Sequence, residues 1–252
     1  MTNHSPLVGQ HGFRLTKAKR DVLELLAKYF CLRTCDIAQL LRSRSPNASD
    51  LRSVRRTLQI LRSENYVHRV SFLAALSESW FPDFAHGLSD HGVKEAIRFG
   101  YATAATKTFD EHSHRTIDHE LAISSFHIKL AESCKAQGLE LFWRQIDLKK
   151  TVNPDALFAI TDPRQPEGRN TTYHFLELEH SKLGCYRDGT SQLMRKLNAY
   201  HPYYDSHACL ADWKDFRQFK LIVVLGTEEK QSNFLRDLTP APCWLMTDIL
   251  TR

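Results

Sequence analysis

The sequence has no apolar run that approaches the length of a membrane span, and its first ten residues lack the basic start and apolar core of a signal peptide. Its six cysteines include no CxxC pair. His112, His114 and His119 lie close together, but no Cys or His pair follows them at zinc spacing. These absences exclude membrane-spanning and disulfide-stapled classes, and they predict a cytoplasmic protein with reduced thiols, no structural zinc and no membrane partner.

Charge of the two signs is unevenly distributed along the chain. The net charge is only +5, yet residues 1–70 hold thirteen Lys and Arg against five Asp and Glu, whereas the remainder holds 21 against 24. A basic N-terminal part on a slightly acidic body predicts a polyanion-binding module attached to a second domain. A length of 252 residues accommodates two small domains.

The basic N-terminal part predicts three helices and a strand. Apolar residues recur at helical spacing over 17–30, over 35–41 and in the segment that begins at Asp50. Asn65 then predicts the end of the third helix, before the strand-like YVHRV. The third helix has an apolar stripe on one side and arginines on the other. This order, with a basic third helix before a β-hairpin wing, resembles a winged helix-turn-helix, whose third helix lies in the major groove of DNA.

The resemblance implies a set of DNA contacts on the third helix and the strand after it. Arg55 and Arg56 are the foremost candidates, for bases or for phosphates. The alternative is an ordinary surface helix with one charged side. The full predicted set is Arg52, Arg55, Arg56, Gln59, Arg62 and Arg69.

The rest of the chain predicts a second domain with the element order αβββαβ. We place a winged helix domain at 1–99, a small and polar linker at 100–115, and the second domain at 116–252. Its predicted elements are a helix at 116–137, strands at 139–146, 153–160 and 172–179, a helix at 188–200 and a strand at 219–226.

Acidic residues occupy two predicted strands that a Pro- and Gly-rich turn joins into a hairpin. Glu177 and Glu179 are two apart and therefore share one face of their strand, and Asp155 begins the neighbouring strand. Three carboxylates in one pocket repel unless one is protonated or a cation is shared, and a hard divalent metal is the obvious cation. The alternative is a solvent-facing edge hairpin with a charged face.

Pro154-Asp155 followed by Glu177-Leu178-Glu179 resembles the PD-(D/E)XK nuclease signature, in which the acids hold Mg²⁺ and a final Lys steadies the attacking water. Here Glu179 stands at the usual Lys position. The resemblance therefore implies that Lys182 or Lys196 supplies the missing cation, and that Glu120 on the preceding helix adds a metal ligand. The implied catalytic set is Asp155, Glu177, Glu179, Lys182 and Lys196, and the implied ligands of Mg²⁺ or Mn²⁺ are Glu120, Asp155, Glu177 and Glu179.

Taken together, these motifs resemble the replication-relaxation family of plasmids and integrating mobile elements. The expected fold class is α+β: a winged helix-turn-helix followed by an α/β PD-(D/E)XK nuclease-like domain with an αβββαβ core and a mixed sheet. The resemblance implies a DNA-acting accessory protein. Its candidate partners are double-stranded DNA, other replication or transfer proteins of the element, and a second copy of the chain.

Two hypotheses about activity remain open at this point. Either the second domain nicks or cuts DNA by metal-assisted phosphodiester hydrolysis, or it keeps the nuclease fold for binding or dimerisation in a catalytically inactive transcriptional or replication regulator. The discriminating feature is a cation beside Glu177 and Glu179, because an active site of this kind needs one.

Overall fold

A computed structural model describes residues 14–42, 45–72, 83–104, 106, 108–109, 114–144, 152–179, 192–206 and 219–225. Over these residues the chain is α+β, with six helices, one antiparallel sheet and one mixed sheet. It divides into two compact units, Met1–His112 and Ser113–Arg252. The division falls within residues 100–115, and the roles assigned to the two parts stay predictions.

Helices and a small antiparallel sheet make up the described part of the first unit. The helices are Lys17–Lys28 (α1), Thr34–Arg42 (α2), Ala48–Ser63 (α3) and Asp90–Arg98 (α4). The strands are Leu32–Arg33 (β1), Val67–Phe72 (β2) and Asp83–Leu88 (β3), in the order β1-β3-β2. The two-residue β1 was not predicted, because two residues are too few to show a period.

Local sequence sets both ends of α3. The side chain of Asn47 accepts hydrogen bonds from the backbone N–H groups of Ser49 and Asp50, and the Asp50 carboxylate accepts one from the Asn47 N–H, which completes a capping box. After Ser63 the chain turns through Asn65, whose φ of 58° lies in the left-handed region that Asn tolerates. The predicted stop at Asn65 is therefore confirmed.

The second unit has the predicted element order. Its elements are His114–Ala136 (α5), Glu140–Arg144 (β4), Ala156–Thr161 (β5), Thr171–Glu179 (β6), Gln192–Asp205 (α6) and Phe219–Leu225 (β7). The sheet order is β4-β5-β6-β7, antiparallel except for the parallel pair β6–β7. The helix predicted to end at residue 200 continues to Asp205, because the buried ring of Tyr203 anchors its last turn despite Pro202.

The predicted hairpin is confirmed, and it lies inside the sheet. β5 and β6 pair from Ala156 opposite Leu176 to Thr161 opposite Thr171, and the turn between them contains Gly168 with a φ of 83°. β7 covers the other edge of β6. The alternative of a solvent-facing edge hairpin is therefore wrong, since β6 has a strand on each side and Glu177 is only 2% exposed.

Apolar side chains fill both faces of this sheet. On one face, Leu157 and Phe175 pack with Leu197 and Tyr200 of α6. On the other, Phe158 and Leu176 pack with residues of α5 such as Phe126. Because strand residues alternate between faces, Glu177 shares the α6 face with Phe175. No helix in the described ranges combines the length and apolar content needed to cross a membrane.

Candidate functional site

The side of α3 that faces away from the core carries the predicted arginines. Val54, Leu58 and Leu61 are 6%, 3% and 0% exposed and attach the helix to the first unit. The opposite residues are all exposed, and within the described part of the chain no acid forms an ion pair with any of the four arginines. We call these residues the arginine face: Arg52, Arg55, Arg56, Gln59 and Arg62.

Arg69 on β2 extends this positive charge beyond the helix. Its guanidinium lies over the ring of Phe84, 4.0 Å from the centroid, a geometry typical of a cation–π contact. Burial and the nearby charge of Arg62 lower the pKa of Arg69. Arg62 and Arg69 are therefore close enough to repel each other, as expected of a surface that a polyanion would neutralise.

The same positive charges also lower the pKa of one buried histidine of the first unit. His86 is 6% exposed, and its Nε2 lies 3.1 Å from the hydroxyl of Thr34. Burial, and then the charges of Arg69 and Arg62, lower the pKa of His86 to about 4. His86 is therefore neutral at physiological pH.

A second cluster forms in the other unit where β5 and β6 begin to pair. The hairpin register, continued by one residue, sets Asp155 opposite Glu177. The Asp155 Oδ2 accepts a hydrogen bond of 2.7 Å from the backbone N–H of Leu178, and its Oδ1 lies 3.2 Å from Nε2 of His119 on α5. Both oxygens of Asp155 are thereby held in place.

Glu177 contacts α6 through both carboxylate oxygens. The hydroxyl of Tyr200 donates to Oε1 at 2.6 Å, and the ammonium of Lys196 donates to Oε2 at 2.6 Å. Lys196 Nζ also lies 3.7 Å from Oδ1 of Asp155. Lys196 and Tyr200 are four residues apart and therefore share one helix face. We call Asp155, Glu177, Lys196, Tyr200 and His119 the carboxylate cluster.

The two acids of the cluster titrate differently because their surroundings differ. Burial, and then the charge of Asp155, raise the pKa of Glu177 against the opposing contacts with Lys196 and Tyr200. Burial also acts to raise the pKa of Asp155, but the hydrogen bond and charge of His119, the charge of Lys196 and the Leu178 N–H outweigh it and lower that pKa. The pKa of Glu177 is therefore raised while that of Asp155 is lowered.

Among the described residues, the cation beside the two acids is a lysine. Lys196 lies between the two carboxylates, and its side chain remains 41% exposed while that of Glu177 is 2% exposed. Lys196 is therefore more than a solvated helix residue. Lys182, the other predicted substitute, lies outside the described residues.

The described residues by themselves do not fit a divalent metal. No group of three or more His, Cys, Asp or Glu side chains is placed to hold an ion in the described ranges. Carboxylate oxygen is the right donor for Mg²⁺, but both oxygens of Glu177 are already engaged. Glu120 is half-buried on α5 beside His119, and the side chain of Glu179 lies outside the described residues. The Mg²⁺ or Mn²⁺ site therefore stays a prediction.

A family model described as replication-relaxation matches residues 23–216. The chain belongs to the replication-relaxation family. Membership points to a role in the replication or mobilisation of plasmids or other mobile elements. The match spans both the arginine face and the carboxylate cluster. No curated protein and no solved structure matches the chain.

In this replication-relaxation protein, no sequence pattern connects His119 with the cluster. Its sequence neighbours His112 and His114 suggest only a zinc group. The usable signal was helical spacing, which puts Lys196 and Tyr200 one turn apart; no spacing links His119 to Asp155, since the two are 36 residues apart.

Proposed function

We propose that this chain is a DNA-binding accessory protein in the replication or mobilisation of a mobile element, and that α3 is its DNA-contacting helix. The observation that carries this proposal is the arginine face: four exposed arginines without a described acidic partner, on a helix whose other side is buried. Because no described acid pairs with these arginines, they give up little interaction energy when they bind phosphates. Their binding also releases condensed counterions from the DNA.

The order of elements around α3 supports a winged helix mode of binding. Three helices precede the β2–β3 hairpin, and Arg69 on β2 is held over Phe84 beyond the end of α3. In this proposal α3 lies in the major groove and Arg69 contacts the flanking backbone. Double-stranded DNA is the partner, and other replication or transfer proteins of the element are further candidates.

The test is the salt dependence of DNA binding. Replacing Arg55 and Arg56 with Ala is expected to weaken binding to duplex DNA and to reduce the slope of log K against log salt by about two units, at about 0.9 for each lost phosphate contact. Fluorescence anisotropy at several salt concentrations measures the slope.

A matched control removes two positive charges elsewhere in the same unit. Lys17 and Lys94 are exposed on α1 and α4, and the variant Lys17→Ala/Lys94→Ala is expected to keep the wild-type slope. A double arginine variant that folds normally and keeps the wild-type slope would remove α3 from the interface.

A second candidate function is phosphodiester hydrolysis at the carboxylate cluster. The observation that favours it is Lys196, which supplies the cation that an active site of this kind needs beside Glu177. In this proposal the partly exposed ammonium contacts a phosphate of the DNA, while Asp155 and Glu177 hold that ammonium in place. No step is assigned to a metal, because the described residues do not complete a site for one.

Nicking of supercoiled plasmid tests this candidate in the presence of Mg²⁺ or Mn²⁺. We expect nicking by the wild type and none by Asp155→Asn, Glu177→Gln or Lys196→Met. Lys129→Met removes an exposed lysine of α5 outside the cluster and is expected to retain activity. A wild type that binds DNA but does not nick it with either ion favours the catalytically inactive regulator.

A further inference from the structure

The strand β4 lies at one end of the described sheet and carries an ordered pattern of side chains. Among the described strands, β4 ends the sheet and pairs with β5 only. Glu140, Phe142 and Arg144 are exposed on one face, with Phe142 58% exposed, whereas Leu141 and Trp143 are half-buried on the other. An edge strand presents backbone N–H and C=O groups that a further strand can use.

The side chains of β4 are complementary to those of a second, antiparallel copy. Pairing centred on Phe142 sets Phe142 opposite Phe142 of the partner subunit. The same register sets Glu140 opposite Arg144 of the partner subunit at both ends of the strand. Opposite charges and aromatic pairs are the cross-strand combinations that stabilise antiparallel strands.

The other face of β4 matches in the same register. Leu141 falls opposite Trp143 of the partner subunit, so half-buried apolar residues meet apolar residues. Trp143 already belongs to the apolar layer beneath α5, and the layer would continue across the new strand pair. Both faces of β4 are thus complementary to themselves in one register.

Other arrangements of two β4 strands lose this match. Parallel pairing sets Glu140 against Glu140 and Arg144 against Arg144 of the partner subunit, and like charges directly opposite are unfavourable. An antiparallel register centred on Leu141 or Trp143 no longer sets Glu140 opposite Arg144 of the partner subunit. The complementary register is also the one that generates a closed two-fold dimer.

We propose that two copies of this chain associate through antiparallel pairing of β4 with β4, centred on Phe142. The two sheets then form one continuous sheet across the dimer. The expected partner of the β4 edge is a second copy of the chain. Because β4 begins with an acid and ends with an arginine, an antiparallel copy sets each charge opposite a charge of the other sign.

Charge reversal distinguishes this pairing from any other contact. Glu140→Arg places arginine against arginine twice, and Arg144→Glu places glutamate against glutamate twice. Each variant alone is expected to raise the dissociation constant of the dimer by about tenfold or more. Mixed together, they regain both opposite-charge pairs, so a heterodimer forms that neither variant forms alone. Sedimentation velocity on the full chain without DNA measures both outcomes.

Two further variants control for folding and for unspecific charge effects. Phe142→Lys removes the central aromatic pair and is expected to give a monomer with an unchanged circular dichroism spectrum. Glu167→Arg reverses an exposed charge in the β5–β6 turn and is expected to leave the dimer intact. A wild type that stays monomeric at about 100 μM, well above the micromolar range of modest complexes, would overturn the proposal. The proposal would also be overturned if Phe142→Lys and both charge reversals left the dissociation constant of the dimer unchanged.

Discussion

His86 in the first unit and His119 in the second respond in opposite directions to their surroundings. Burial and the charges of Arg69 and Arg62 lower the pKa of His86 to about 4. The hydrogen bond to Asp155 raises the pKa of His119 against burial, and the charges of Asp155 and Glu120 add to the increase. Neighbouring positive charge therefore helps to lower the pKa of His86, whereas neighbouring negative charge helps to raise the pKa of His119.

The difference follows from how each region holds its charge. The arginine face displays positive charge at the surface with no described acid to balance it. The carboxylate cluster buries negative charge and balances it with Lys196 and with hydrogen bonds. Exposed positive charge attracts polyanions in general, whereas the partners inside the cluster offset the cost of burying its negative charge.

The largest expected effect concerns the neutral state of His86. The unfolded chain takes up a proton on this histidine below about pH 6.5, whereas the folded chain does not until about pH 4. Stability is therefore fully present above pH 6.5 and falls as the pH drops towards 4, by about 3 kcal/mol in all. Urea unfolding of the wild type and of His86→Phe measures this, and the variant is expected to lose that part of the pH dependence.

Two variants sharpen the His86 prediction. His91→Phe replaces an exposed histidine that contacts the ring of Tyr66 and serves as a control for the His-to-Phe substitution itself. Arg69→Ala removes one positive charge near His86 and is expected to raise the pKa of His86 in an NMR titration. An unchanged pKa in Arg69→Ala would mean that burial and Arg62, without Arg69, keep His86 neutral.

A smaller effect is expected from removing the cation of the cluster. Lys196→Met leaves the buried carboxylate of Glu177 without its ammonium partner. Breaking a fully buried pair costs about 3–5 kcal/mol, and solvent screening of a lysine that is 41% exposed reduces the expected loss to about 2 kcal/mol.

The two single variants of this ion pair are expected to differ in how much stability they cost. Glu177→Gln is expected to cost less than Lys196→Met, because the lysine left behind can extend into water. Lys196→Met/Glu177→Gln is expected to recover most of the loss. Chemical denaturation of the three variants measures the coupling, and a Lys196→Met variant as stable as the wild type would contradict a stabilising role for this ion pair.

The smallest expected effect concerns His119. A raised pKa in the folded state means that this histidine adds stability below about pH 6.5 and that the contribution is lost as the pH rises through the folded pKa. Because the His119 side chain is 33% exposed, the contribution should be at most about 1 kcal/mol. Asp155→Asn is expected to bring the pKa of His119 down in an NMR titration, and a pKa that stays in place would assign the increase to other groups.

The fold was predictable from the sequence wherever a local pattern repeats over a turn or more. The apolar stripe of α3, the Asn65 stop and the Gly168 turn of the hairpin depend on residues close together in the chain. Local signals of this kind miss short or extended elements: the two residues of β1 show no period, and α6 continues past Pro202 because Tyr203 is buried.

The sequence by itself determined that arginines occupy one side of α3 and that Asp155 and Glu177 meet in a hairpin, because helical and strand periods fix which residues share a face. Only the tertiary structure decided that β6 is an inner strand, that Lys196 lies 2.6 Å from Glu177, and that His119 contacts Asp155. These contacts depend on how α5 and α6 pack on the two faces of the sheet. Packing of that kind joins residues that are distant in the chain, and no local period encodes it.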